Sequence, residues 1–116
     1  MSTAKRQPAA DLAHIWAGGG FAGAWRYEQQ SARLQCDEDV ATALGLAVEG
    51  PLTAFLAMVD EADRAALLAA VQATAHDGGR LDRRFRIGHG PAAGQWARLA
   101  GRASQGVLAA ALTDLP

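Results

Sequence analysis

Gly23-Ala24-Trp25-Arg26-Tyr27-Glu28-Gln29-Gln30-Ser31-Ala32-Arg33-Leu34-Gln35-Cys36 is the stretch that decides the architecture. Trp25 and Tyr27 alternate with Arg26 and Glu28, the period-two pattern of a half-buried strand. Gln29 to Ala32 is a polar turn. Arg33 to Cys36 is a second short strand that completes a hairpin with the first. Asp37 then offers an N-cap for a helix through Leu44, and Gly45 offers its C-terminal stop.

Downstream, Gly50-Pro51 breaks the chain. Leu52, Phe55, Leu56 and Val59 recur at i, i+3, i+4 and i+7, which predicts a short amphipathic helix. Asp60 and Asp63 have capping-box spacing and open the longest helix, Glu61 to His76. Its apolar stripe is Leu67, Leu68, Val71 and Ala75, and Gly78-Gly79 ends it. The last third alternates as strands do. Leu81, Phe85 and Ile87 oppose Asp82, Arg84 and Arg86. Gly88 to Gly94 is a hairpin loop. In Gln95 to Ala103, Trp96, Arg98 and Arg102 share one face and Ala97, Leu99, Gly101 and Ala103 the other. Ser104 to Gly106 is a turn and Val107 to Asp114 a final strand. Upstream, Met1 to Pro8 is a polar lead. Ala9 to Ala17 has Leu12, Ile15 and Trp16 at helical spacing, and Gly18-Gly19-Gly20 stops that helix.

The order β-β-α-α-α-β-β-β predicts an α+β domain. Five strands form one antiparallel sheet, helices cover one face, and an N-terminal cap helix precedes them. Residues 1–22 are the lead and cap helix, and 23–116 the domain proper. A length of 116 residues suits one compact unit. Half the residues are hydrophobic, but much of that is alanine, so the core is thinner than its percentage implies. A net charge of −1 gives no field to attract nucleic acid. The single cysteine, Cys36, excludes an intrachain disulfide and a cysteine-based zinc cluster. No apolar stretch approaches the ~20 residues of a membrane span, and no apolar core follows Lys5 and Arg6 as in a secretory signal. A cytoplasmic protein is expected.

The same residues resemble the PAS family. Gly23 to Glu28 resembles its opening strand, and Leu44-Gly45-Leu46 the leucine-glycine step after its third element. Phe55-Leu56, Val59 and Asp63-Arg64 resemble the helix leading into the family's "HPDDR" segment. Phe85-Arg86-Ile87 resembles "YRI", Trp96 with Gly101 resembles "RWV…G", and Leu112-Thr113-Asp114 the approach to a closing "DIT" triplet. The match runs from about Gly23 to Asp114, and the subtype is the one common in bacterial sensor histidine kinases. Asp60-Glu61-Ala62 departs from the family's His-Pro-Asp, Cys36 replaces an aromatic residue, and the closing triplet reads Asp114-Leu115-Pro116. The resemblance implies a PAS fold and a non-catalytic sensory or relay role in a two-component pathway. It also implies Asp114 as the junction to an output domain, and a histidine kinase or response regulator as partner.

Several residues are candidates for a site. The small residues Ala97, Gly101, Ala103 and Ala109 or Ala110 allow two outcomes: helices packed close to the sheet, or a pocket. A pocket would be lined by Tyr27, Phe55, Val71, Phe85 and Leu99, apolar walls with one hydroxyl. Arg83, Arg84, Arg86, Arg98 and Arg102 lie on adjacent strands. Arg84, Arg86, Trp96 and Arg98 form either a solvated face or a partner surface, for which Trp and Arg are favoured anchors. Leu12, Ile15 and Trp16 sit on a helix too short to be stable alone, so it docks on its own sheet or on a partner. The resemblance implies that such a helix covers the sheet or swaps into a dimer, and a homodimer through it is expected. Cys36 lacks the Asn-Cys-Arg setting of flavin photosensors and reads as an inert thiol. His76 lies off the apolar stripe of its helix, which argues against haem, and His14 and His89 are isolated. No catalytic residue, metal or cofactor is expected, and neither nucleic acid nor membrane is expected as a partner. A ligand-free adaptor is the alternative function. An isomerase-like enzyme would need an inward acid or base, and none is placed.

Overall fold

The computed structural model describes residues 22–115. The elements are β1 (Ala22–Glu28), β2 (Arg33–Cys36), α1 (Glu38–Leu44), β3 (Glu49–Pro51), α2 (Leu52–Leu56), α3 (Glu61–Asp77), β4 (Gly79–Arg86), β5 (Trp96–Ser104) and β6 (Val107–Thr113). The cap helix expected over Ala9 to Ala17 lies outside the described residues.

The sheet has six strands in the order β3-β2-β1-β6-β5-β4, and neighbours are antiparallel throughout. The first hairpin is as read, with Trp25 opposite Cys36 and Tyr27 opposite Leu34. The sixth strand corrects the expected five. β3 pairs Glu49 with Gln35, Gly50 with Leu34 and Pro51 with Arg33. A three-residue strand leaves no alternation to detect, and a proline is tolerated there because β3 is an edge. The β5–β6 turn places Gln105 and Gly106 both at positive φ, the turn geometry whose twist matches the flanking strands.

Local chemistry fixes how helices meet the sheet. Asp37 caps α1 by accepting from Val40 N at 2.9 Å, and its other carboxylate oxygen accepts from Ala24 N at 2.9 Å. One side chain thus starts a helix and ties it to the first strand. Gly23 permits this approach, since a Cβ there would run into the Val40 side chain. Asp37→Ala removes a cap and a strand tether together. A loss of about 1–2 kcal/mol is expected, read as a lower urea midpoint with unchanged slope; a loss under about 0.3 kcal/mol would contradict the double role.

Two readings of the middle of the chain are corrected. α2 ends at Leu56, and Val59 instead forms a β-bridge with Ile87. Asp60 does cap α3, accepting from Ala62 N, but Asp63 does not complete a capping box. Its carboxylate accepts from Arg86 N at 2.9 Å, while Asp60 N donates to Arg86 O at 2.8 Å. The start of α3 is therefore stitched to the end of β4. Leu67, Val71 and Ala75, on one stripe of α3, are buried with the inward residues of the sheet in a single cluster. No helix among the described residues is long and apolar enough to cross a membrane.

Candidate functional site

The five interior candidates do come together. Tyr27 on β1, Phe55 on α2, Val71 on α3, Phe85 on β4 and Leu99 on β5 are each at most 2% exposed and share one hydrophobic cluster. Trp25 joins them, which the sequence reading missed although Trp25 and Tyr27 share a strand face. Its ring lies 5.3 Å from Phe55, edge-on, and Phe55 lies 5.8 Å from Phe85, edge-on again. This aromatic chain joins β1 to β4 through α2 by favourable edge-to-face contacts. The buried Trp25 Nε1 has no hydrogen-bond partner among the described residues, a desolvation cost of about 1–3 kcal/mol. Among the five, only Phe85 borders a described cleft, a small one of about 100 Å³ beside Asp63, Ala66, Leu67, Arg83 and Arg84.

The opposite sheet face is polar. Arg84 lies across from Arg98, and Arg86 across from Trp96. The Arg84 guanidinium sits 5.7 Å from the centre of the Trp96 ring, and Trp96 is 46% exposed. Arg98 grips Asp82 with two hydrogen bonds, 2.8 Å and 2.6 Å. Arg102 lies across from Arg80, extending the cations along the edge. Arg83 differs from the other arginines, for it takes the inward parity of β4 and reaches the Ala66 carbonyl on α3 at 3.5 Å.

The Arg98 hydrogen bonds, with the charge of Arg98 behind them, hold the Asp82 carboxyl below its usual pKa against the opposing effect of burial. A depressed carboxyl stabilises the fold above the unfolded value of about 3.9 and loses that contribution as pH falls through the lower folded value. The pair is largely solvated, so Asp82→Asn is expected to cost under about 1 kcal/mol at neutral pH. That difference should shrink in high salt and close in acid below the folded value. A pH-independent difference in urea titrations would mean that the pair acts through packing instead.

At the C-terminal exit, Asp114 adopts φ 75°, and its carboxylate lies 3.9 Å from the Arg84 guanidinium. Leu115 beyond it is buried. Cys36 is half-buried, its Sγ 3.8 Å from the Ala47 carbonyl, and burial followed by the Asp37 charge pushes its thiol pKa up. His76 and His89 are exposed, and His76 Nδ1 lies 3.3 Å from Gln29 Nε2. No group of His, Cys, Asp or Glu among the described residues is arranged to hold a metal ion. Leu12, Ile15 and Trp16 lie outside the described residues.

No family model matches the chain, and no curated protein matches it either. Solved structures do. An RNA-binding light-oxygen-voltage receptor aligns with TM-score 0.67 and 21% identity over 80% of this chain. The chain spans only 27% of that receptor. A sensory box histidine kinase/response regulator from Burkholderia thailandensis E264 aligns with TM-score 0.63 and 20% identity, covering 86% of this chain and 81% of that one. A protein from work on adaptor-dependent degradation of a cell-cycle regulator aligns with TM-score 0.55 and 25% identity, covering 79% and 81%. The receptor and kinase matches are PAS-type sensory domains, and this chain has the PAS fold.

Proposed function

We propose that the chain is a sensory or relay module of a bacterial two-component pathway, acting without haem, flavin or metal and without catalysis of its own. The observation that carries this is the construction of the exit. β6 lies at the centre of the sheet, between β1 and β5, and runs directly into Asp114. The Asp114 carboxylate lies 3.9 Å from the Arg84 guanidinium, which also sits over the Trp96 ring. A shift of the sheet, driven by a ligand inside or a partner outside, is thereby coupled to the junction at which an output segment would attach. Dimerisation through Leu12, Ile15 and Trp16, and a histidine kinase or response regulator as partner, complete this reading.

The second reading, a ligand-free adaptor, is favoured by the edge-to-face packing of Trp25, Phe55 and Phe85 among the residues that would line a pocket. Native mass spectrometry of freshly purified protein, with an absorbance scan of the same sample, separates the two. A dimer carrying a reproducible extra mass is the result expected of a sensor. A clean dimer without extra mass moves the assignment to the adaptor, and a strict monomer contradicts the dimerisation part of the proposal. Visible absorbance from haem or flavin overturns the cofactor-free part.

A further inference from the structure

β4 is an edge strand of the sheet. Successive residues of a strand turn their backbone groups to alternate sides. Ile87 N donates to Gln95 O, next to β5, so the odd-numbered residues turn toward β5. The even-numbered ones turn outward. Arg86 confirms this, with its N–H on Asp63 and its carbonyl on Asp60 N, both outside the sheet. The segment around Asp60 therefore covers the edge at Arg86 and stops there. Over Arg80, Asp82 and Arg84, the outward N–H and C=O groups have no backbone partner among the described residues.

We infer that this open edge, Arg80 to Arg84, takes an extended acidic segment of a partner protein as an added strand. Backbone pairing supplies the attachment, and side chains supply the choice of partner. Residues directly opposite Arg80, Asp82 and Arg84 would share the outer face with them. Carboxylates therefore suit the positions facing Arg80 and Arg84, four residues apart, and an uncharged residue suits the one facing Asp82. The residues between them would turn toward the α3 side, beside the cleft bordered by Ala66, Leu67 and Phe85, where an apolar side chain fits. The Asp82–Arg98 fork shows that arginines on this face can grip a carboxylate with two hydrogen bonds.

The same charges disfavour other occupants. Two copies of β4 paired antiparallel about Asp82 would set Arg80 against Arg84, like charges directly opposite. The first 21 residues carry Lys5 and Arg6 against Asp11, so they do not complement this edge. A nucleic-acid strand has no alternating N–H and C=O groups to pair with the outward backbone of β4. The inference deepens the relay reading by giving the chemistry of its partner.

The test uses the full chain and a labelled, terminally blocked peptide with the core Glu-Val-Thr-Val-Glu, followed by fluorescence anisotropy. Binding that weakens with salt is expected, with protection of the Arg80, Asp82 and Arg84 amides in hydrogen exchange. Arg80→Glu, and separately the double variant with Arg84→Glu, should weaken it by about tenfold or more, while Arg26→Glu, on β1 of the same sheet, leaves it unchanged. The peptide N-methylated at alternate amides keeps its charge and should fail to bind. The inference is overturned by absent binding, by equal binding of the Lys-Val-Thr-Val-Lys peptide, by binding without amide protection, or by a single-stranded RNA that binds in preference. A chain that fails here but carries a ligand in native mass spectrometry loses the edge and keeps the sensory reading.

Discussion

Gly101→Ala is expected to cost about 3 kcal/mol or more, and Gly101→Val to prevent folding. Gly101 lies in the middle of β5, paired with Leu81 on one side and Ala110 on the other. Its φ does not require glycine; the space does. An added Cβ would land against the Ala109 carbonyl oxygen, with Ala110 Cα at 2.5 Å and Ala110 Cβ at 2.7 Å. Two of these three atoms are backbone, so no rotamer change relieves the collision. Relief requires β5 and β6 to part, and β6 is central to the sheet. Strand separation there would break the ladder that positions both Leu99 and the exit at Asp114. Gly50→Ala is the control, since nothing lies within 4 Å of a Cβ there, and a change within about 0.5 kcal/mol is expected. Urea unfolding of both variants checks this, with equal midpoints for Gly101→Ala and the parent chain as the result that refutes it. The consequence for the site is that Gly101 serves the close approach of β5 to β6, a use of a small residue distinct from both the helix packing and the pocket that composition left open.

That distinction shows where sequence stops being legible. Alternation on Trp25 and Tyr27, the Asp37 cap and the stops at Gly45 and Gly78 could be read because each is local: the residues that interact are within a few positions. β3 could not be, because its existence depends on pairing with β2 and not on any pattern of its own. Asp63 misleads for a related reason. Its spacing from Asp60 is that of a capping box, but its carboxylate serves Arg86 N, 23 residues further on. The Arg/Trp face was read correctly as a face, since strand parity places Arg84, Arg86, Trp96 and Arg98 together. What parity could not provide was strand register, and register is what brings Arg98 to Asp82 and Arg84 to Trp96. The interior was read as either packed or hollow because the rotation of the Trp25 ring toward Phe55 depends on the placement of α2 over the sheet.

Phe55→Ala turns that interior question into a measurement. Phe55 is fully buried between Trp25 and Phe85. Truncation is expected to cost about 3–5 kcal/mol, the sum of lost transfer energy and a residual cavity. Against a total stability of about 5–15 kcal/mol for a domain, the variant should fold only with a much reduced margin, so its unfolding is best followed at low temperature. The cavity left behind would be walled by two aromatic rings and aliphatic side chains. Apolar cavities of this kind stay dry and admit small apolar molecules. Benzene should therefore raise the melting temperature of Phe55→Ala, and phenol should raise it further if its oxygen reaches the unpartnered Trp25 Nε1. By mass action, a ligand at a hundred times its Kd returns about 2.7 kcal/mol. The parent chain is the decisive comparison. If it gains nothing, Phe55 is a plug, and the adaptor reading gains weight because signal must enter from outside. If it gains stability as well, the aromatic chain opens unaided, and the same volume serves as a ligand site. If neither responds, the helices collapse into the space left by Phe55, and the interior is excluded as the sensing element.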